Sequence, residues 1–263
     1  MADPTPNSTA IPFTLDLPTL LSLATALSLL PLALLLSIRL ISPSHTRLRI
    51  LFFWHAYDAL THFIMEGSFL YHCFFSYTTL TSASAIDARP KPYFLNQPDR
   101  LYGAAYGSEP TARMWQEYGK ADARWVGADL GVVALEILTV FGGTPVAAII
   151  CYLAYKASSY MAGPSKGNNG ALAAKYAGRM WTLAIGLAVA ELYGGWMTFA
   201  PEWLSGSTAL ETGEPMYLWL YLVFFNGLWV VVPIWILCVG WGEVQRAFMG
   251  AAEAEVKSAK KTQ

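Results

Sequence analysis

Residues 55–67, HAYDALTHFIMEG, carry His55, Asp58, His62 and Glu66 at spacings of 3, 4 and 4. At about 100° per residue, these side chains fall within roughly 60° of one another on one helical face. Imidazoles exchange protons near neutral pH, and carboxylates accept protons and stabilise cations. Such a face is equipped for acid–base chemistry, yet its neighbours are Leu, Phe, Ile and Met.

Further ionisable groups interrupt other apolar runs. Glu136 lies in LGVVALEILTVF, with Thr139 three residues after it and Asp129 seven before it on the same face. Glu191 interrupts another run, and Asn226 and Trp229 stand one turn apart among Tyr221, Phe224 and Phe225. A charge at bilayer depth costs from a few to more than ten kcal/mol, so such groups turn inward, pair and mark function. His62, Glu66 and Glu136 have few structural excuses. His55 and Asp58, nearer the end of their helix, fit a structural hydrogen bond as well as a functional one. Glu191 is equally open, Asn226 suits a bond between helices, and the aromatic stripe around Trp229 suits packing.

His and carboxylate are suitable metal ligands, and membrane di-iron hydroxylases use histidines at helical spacings. Those clusters need about eight histidines; this chain has 4, and His45 and His72 lie off the line. No metal is expected. The chain has no Gly-rich dinucleotide fingerprint and no GxSxG motif. What remains is acids and bases facing an apolar, aromatic pocket. That suits a hydrophobic substrate that becomes cationic, as an alkene does on protonation, with carboxylates and π faces stabilising the cation.

The elements that must hold these groups are membrane helices. Of 263 residues, 55% are hydrophobic and 13% charged, with mean hydropathy +0.38. A soluble domain usually carries about twice that charged fraction. A net charge of −1 gives no argument for a nucleic-acid partner, and the three isolated cysteines suggest buried thiols. Five apolar stretches of spanning length appear: Leu17–Leu40, Ile50–Phe75, Leu130–Tyr155, Met180–Ala200 and Tyr217–Trp241. They predict an all-α membrane protein, a five-helix transmembrane bundle with an intramembrane pocket. Its parts are a lumenal N-terminal tail (1–16), the bundle (17–241) and a cytosolic tail (242–263).

Orientation follows from the basic residues: with a lumenal N-terminus, 11 of the 17 Lys and Arg fall on the cytosolic side. Asn7-Ser8-Thr9, a glycosylation pattern, and the dilysine-type ending Lys260-Lys261-Thr262-Gln263 agree, and point to the endoplasmic reticulum membrane. Between the second and third spans, SASAIDARPKPYFLNQPDRLYGAAYGSEP predicts an extended lumenal loop. Ser108-Glu109-Pro110 looks like a helix start, from which MWQEYGKADARWVGAD is expected to run helically into the third span. Residues 162–170 form a turn, and the polar tail from Gly250 is expected to fray.

HFIMEG, MWQEYGKADARWVGAD…ALEILT, ELYGGWMTF and MYLWLYLVFFNGLWVVVP together resemble the emopamil-binding protein family, over about residues 48–240 and in the right order. That family comprises Δ8–Δ7 sterol isomerases of the endoplasmic reticulum and shares its fold with the sigma-2 receptor. The resemblance implies that His62 with Glu66 protonates the sterol alkene at carbon 9. Glu136, helped by Asn226 and Trp229, then stabilises the cation at carbon 8, and a proton leaves carbon 7 for a carboxylate left open here. Thr139, Trp229, Asp58, Glu191, Phe225 and Tyr118 would line the substrate. Cationic amphiphilic amines would inhibit by mimicking the cation, and no cofactor is implied because the shift is redox-neutral. A homodimer through the membrane surface is compatible.

Glu191 departs from the pattern: the animal isomerases are expected to hold an uncharged polar residue there. It motivates a second reading, the same fold acting on another polycyclic terpenoid. A third, non-catalytic sterol or amine binding, sits poorly with a complete acid–base set.

Overall fold

The computed structural model describes residues 12–162 and 168–261. The glycosylation pattern at Asn7, most of the 162–170 turn, and Thr262 and Gln263 lie outside them.

Asp16 opens the first helix by accepting the Thr19 amide at 3.0 Å, and α1 then runs Leu17–Leu40. A second rod covers 46–75 as α2 (Thr46–Leu60), a π-helical turn (Thr61–Glu66) and α3 (Gly67–Phe75). The third joins α6 (Leu130–Leu138), a π-helical turn (Thr139–Gly143) and α7 (Thr144–Ala162); α8 is Asn169–Ser205. The last joins a π-helical segment (Tyr217–Phe224) to α9 (Phe225–Lys261). Pro145 accounts for the π turn before it, since its ring removes an N–H and crowds the carbonyl four residues back.

Among the described residues, four helices are long and apolar enough to cross a membrane: Leu17–Leu40, Leu130–Ala162, Asn169–Ser205 and Tyr217–Lys261. The 46–75 rod is not among the four, because the His and acidic residues that make it interesting also make it less apolar. Where the polar composition predicts a frayed tail, α9 stays helical to Lys261.

The connection before the third span differs from expectation. Tyr77–Thr79 (β1) pairs antiparallel with Arg100–Tyr102 (β2), and a short α4 (Ala83–Asp87) lies between them, so this segment is not simply extended loop. α5 covers only Pro110–Tyr118, capped at Glu109 rather than Ser108. The chain turns at Gly119, and Asp122 and Arg124 form a bidentate pair at 2.9 and 2.6 Å. Asp129 restarts the helix by accepting the Val132 amide at 3.0 Å, which makes it a cap and not part of an active face.

The chain divides into two compact units. The first contains the described part of Met1–Leu32, Leu60–Thr144 and Trp196–Gly227; the second contains Ala33–Ala59, Pro145–Gly195 and the described part of Leu228–Gln263. The core of the first packs Phe69, Met114, Val132 and Val133 around Trp115 and Trp125, whose rings stack 4.9 Å apart.

Candidate active site

The first unit gathers most of the acid–base set. His62 Nδ1 and Glu66 Oε2 lie 2.5 Å apart on the π turn. His62 is buried and Glu66 half-buried. The two side chains are one helical turn apart and form a close hydrogen-bonded pair. Opposite, Thr139 Oγ1 donates to Glu136 Oε2 at 2.7 Å. The Glu66 carboxyl also reaches the Glu136 carboxyl and the Thr139 hydroxyl. Gly143 lies beside the His62 ring, where a Cβ would make ordinary contact at 3.6 Å from Cδ2 and 3.8 Å from Nε2.

Asn226 completes this half. Its Nδ2 donates to the Tyr118 phenol at 3.1 Å and to the Tyr221 and Leu222 carbonyls at 3.0 and 2.9 Å. The amide nitrogen is thereby pinned, and its carbonyl oxygen is turned the other way. Burial, helped by the Asp122 charge, pushes the Tyr118 phenol up, so the hydroxyl stays neutral. Tyr118 also stacks near Tyr221, whose hydroxyl donates to the buried Glu117 carboxylate at 3.2 Å; Lys120 Nζ meets the same carboxylate at 2.5 Å. Phe225 packs edge-on to Tyr221.

The second unit holds the remaining candidates. Asp58 Oδ1 accepts the Trp229 indole N–H at 2.8 Å. The Trp229 ring lies 5.5 Å from Trp54 and 5.6 Å from Tyr57. His55, fully buried, donates from Nδ1 to the Leu51 carbonyl at 2.7 Å, a bond within its own helix. Within the quartet, His62 and Glu66 pair with each other, Asp58 accepts from Trp229, and His55 bonds within its own helix. Glu191 is half-buried on α8 with both carboxylate oxygens away from solvent.

Sequence spacing could not indicate the Tyr118–Asn226 and Asp58–Trp229 bonds, which join residues 108 and 171 apart. It also missed Trp54 and Tyr57 beside Trp229 and the Glu117–Lys120–Tyr221 group. Only the last had a signal, the i,i+3 pairing of Glu117 with Lys120. Among the described residues, no group of three or more His, Cys, Asp or Glu could hold a metal ion.

Among the described residues, four helices long and apolar enough to cross a membrane thus accompany a cluster of one imidazole and two carboxyls, the class of arrangement expected of a helical membrane protein. Residues 110–239 match the EXPERA (EXPanded EBP superfamily) model. The chain is 28% identical over 224 residues to a probable 3-beta-hydroxysteroid-Delta(8),Delta(7)-isomerase of Oryza sativa subsp. japonica, covering 83% of this chain and 80% of the relative. It is 26% identical to the 3-beta-hydroxysteroid-Delta(8),Delta(7)-isomerase of Cavia porcellus, over 76% of this chain and 67% of that one. Similarity to isomeliandiol synthase ISM1 of Ailanthus altissima is 25%, over 70% and 65%. The segment 110–239 belongs to the EXPERA (EXPanded EBP) superfamily, and the chain is similar over most of its length to the sterol isomerases within it.

Proposed function

We propose that this chain is a membrane sterol isomerase that moves a ring double bond from Δ8 to Δ7. The observation that carries the reading is the 2.5 Å His62–Glu66 contact with Glu136 in reach of the same carboxyl. One group of this set gives a proton to carbon 9, leaving a cation at carbon 8. Glu136, held by Thr139, faces the developing charge, with the Asn226 carbonyl oxygen as a further negative dipole. Loss of a proton from carbon 7 to a carboxyl then forms the new double bond. One proton enters and one leaves, with no change in oxidation state, so the reaction calls for no cofactor.

The 46–75 rod serves as a fifth span in this reading, because His55, Asp58 and His62 are buried. Similarity to the sterol isomerases and the one-sided basic residues support an endoplasmic reticulum location with a lumenal N-terminus. Ammonium amphiphiles would bind in place of the cation. Relatives that include isomeliandiol synthases, together with Glu191, favour a second reading, in which the substrate is another polycyclic terpenoid.

The test uses membranes of cells lacking their own isomerase, given a Δ8-sterol in heavy water. The expected product is a Δ7-sterol with one new deuterium at carbon 9, absent with Glu136→Gln. An unchanged sterol, with oxidised triterpenoids isomerised by the same membranes, would replace the first reading with the second.

A further inference from the structure

The rod Tyr217–Lys261 has 45 residues. At 1.5 Å per residue it is about 67 Å long, against a hydrocarbon core of about 30 Å. Charge marks where it leaves the bilayer. Glu243 pairs with Arg47 at 3.1 Å and contacts Arg246, a cluster that belongs at the polar boundary.

Beyond that cluster the helix does not become polar all round. Trp241, Val244, Phe248, Met249, Ala252 and Val256 fall on an arc of about 140° at 100° per residue, which Gln245 and Glu255 interrupt. Trp241 is 69% exposed and Phe248 75%. Arg246, Glu253, Lys257 and Lys260 share a separate arc of about 60°. A straight continuation into water would leave large apolar side chains solvated, Val256 about 20 Å past Glu243.

We propose that residues 241–261 of α9 lie on the leaflet from which the helix emerges, with the apolar arc in the headgroup–acyl boundary. The arc is wider than the seam of a coiled coil. Any heptad register that puts Phe248 in such a seam also puts Glu255 there, seven residues on, which argues against a second copy as occupant. On a membrane surface, Glu255 sits about 50° off the centre of the arc and turns back to water. Lys257, Lys260 and Lys261 meet anionic headgroups, and Trp241 and Phe248 are the residue types that anchor interfacial helices. Gly242 and Gly250, each with open space where a Cβ would stand, supply the bend.

The experiment uses the full chain in phosphatidylcholine–phosphatidylserine vesicles, with exposed Cys238 replaced by Ser and an environment-sensitive fluorophore on Met249→Cys, Val256→Cys or Lys257→Cys in turn. Lipids spin-labelled near the headgroup should quench positions 249 and 256 about threefold more than position 257, with blue-shifted emission. Leaving out phosphatidylserine should reduce that difference. Equal, weak quenching at all three positions would show a helix projecting into water and overturn the proposal. So would a shielded position 249 that lipid does not quench and that forms disulfide dimers in a concentration-dependent way, which would assign the face to a second copy.

Discussion

Asn226 Nδ2 donates a hydrogen bond to the Tyr118 hydroxyl at 3.1 Å, joining the last span to the segment before the third. Tyr118→Phe removes only that acceptor. The amide keeps its two backbone carbonyls but loses the partner that fixes its plane. Turnover of the Δ8-sterol should fall about tenfold with KM nearly unchanged, equivalent to about 1.4 kcal/mol at the transition state. An unchanged rate would mean that the backbone carbonyls orient Asn226 without help.

Thr139 holds Glu136 through a bond of 2.7 Å. Thr139→Val keeps the shape and deletes the donor, freeing the carboxyl to rotate. Turnover should drop roughly 10- to 100-fold, and Thr139→Ser should restore most of it, as sterol conversion followed by mass spectrometry would show.

Arg124 grips Asp122 through two bonds and reaches the Thr198 carbonyl at 2.6 Å. Asp122 is fully buried, so Arg124→Met leaves a buried carboxylate without its cation and should cost about 3–5 kcal/mol of stability. Thermal melting in detergent should show a large fall, with Arg124→Met/Asp122→Asn melting higher than Arg124→Met alone.

Gly103 has φ +132°, and a Cβ there would stand 2.4 Å from the Val126 carbonyl oxygen. Neither the torsion nor the backbone neighbour yields cheaply. Gly103→Ala should destabilise by about 1–3 kcal/mol, whereas Gly178→Ala, where a Cβ meets nothing within 4 Å, should not.

Lys120 links stability to alkaline pH. Burial, the largest influence, pulls its ammonium down, but Glu117 at 2.5 Å outweighs it and leaves the group above its ordinary value. A folded value raised above the unfolded one gives stability that is present below the unfolded value and lost as pH rises through the folded one. The melting advantage of the wild type over Lys120→Met should therefore hold at neutral pH, begin to fall above about pH 10.4, and vanish once the pH passes the raised folded value.

The sequence was most legible where a pattern is local. Leu17–Leu40 matches its helix at both ends, and the His62–Glu66 and Glu136–Thr139 pairs follow from one-turn spacing. It failed where an end is decided by tertiary contacts. MWQEYGKADARWVGAD looks like one helix by composition, but the Asp122–Arg124 pair and the bridge from Asp122 to Leu210 hold the segment in turns. Asp129 looked like part of an active face because its spacing to Glu136 suits one. Its capping role was equally readable, from its position ahead of an apolar run. The π turn at Thr61–Glu66 has no Pro or Gly within it to announce it.

The reach of Glu66 to Glu136 bears on what happens between turnovers. A catalyst that gives a proton from one group and takes one at another ends each cycle in a different form from the one that began it. The empty enzyme then exists as two isomers, and the return from one to the other is a step of its own. Adjacent carboxyls make that return a single short hop. On the proposed mechanism, hydrogen taken from carbon 7 would reappear at carbon 9 of a fraction of the next substrate molecules, and deuterium uptake from heavy water would fall below one per product molecule by that fraction. Isotope carried between successive molecules, and noncompetitive inhibition by product, are the kinetic signatures of such a reset.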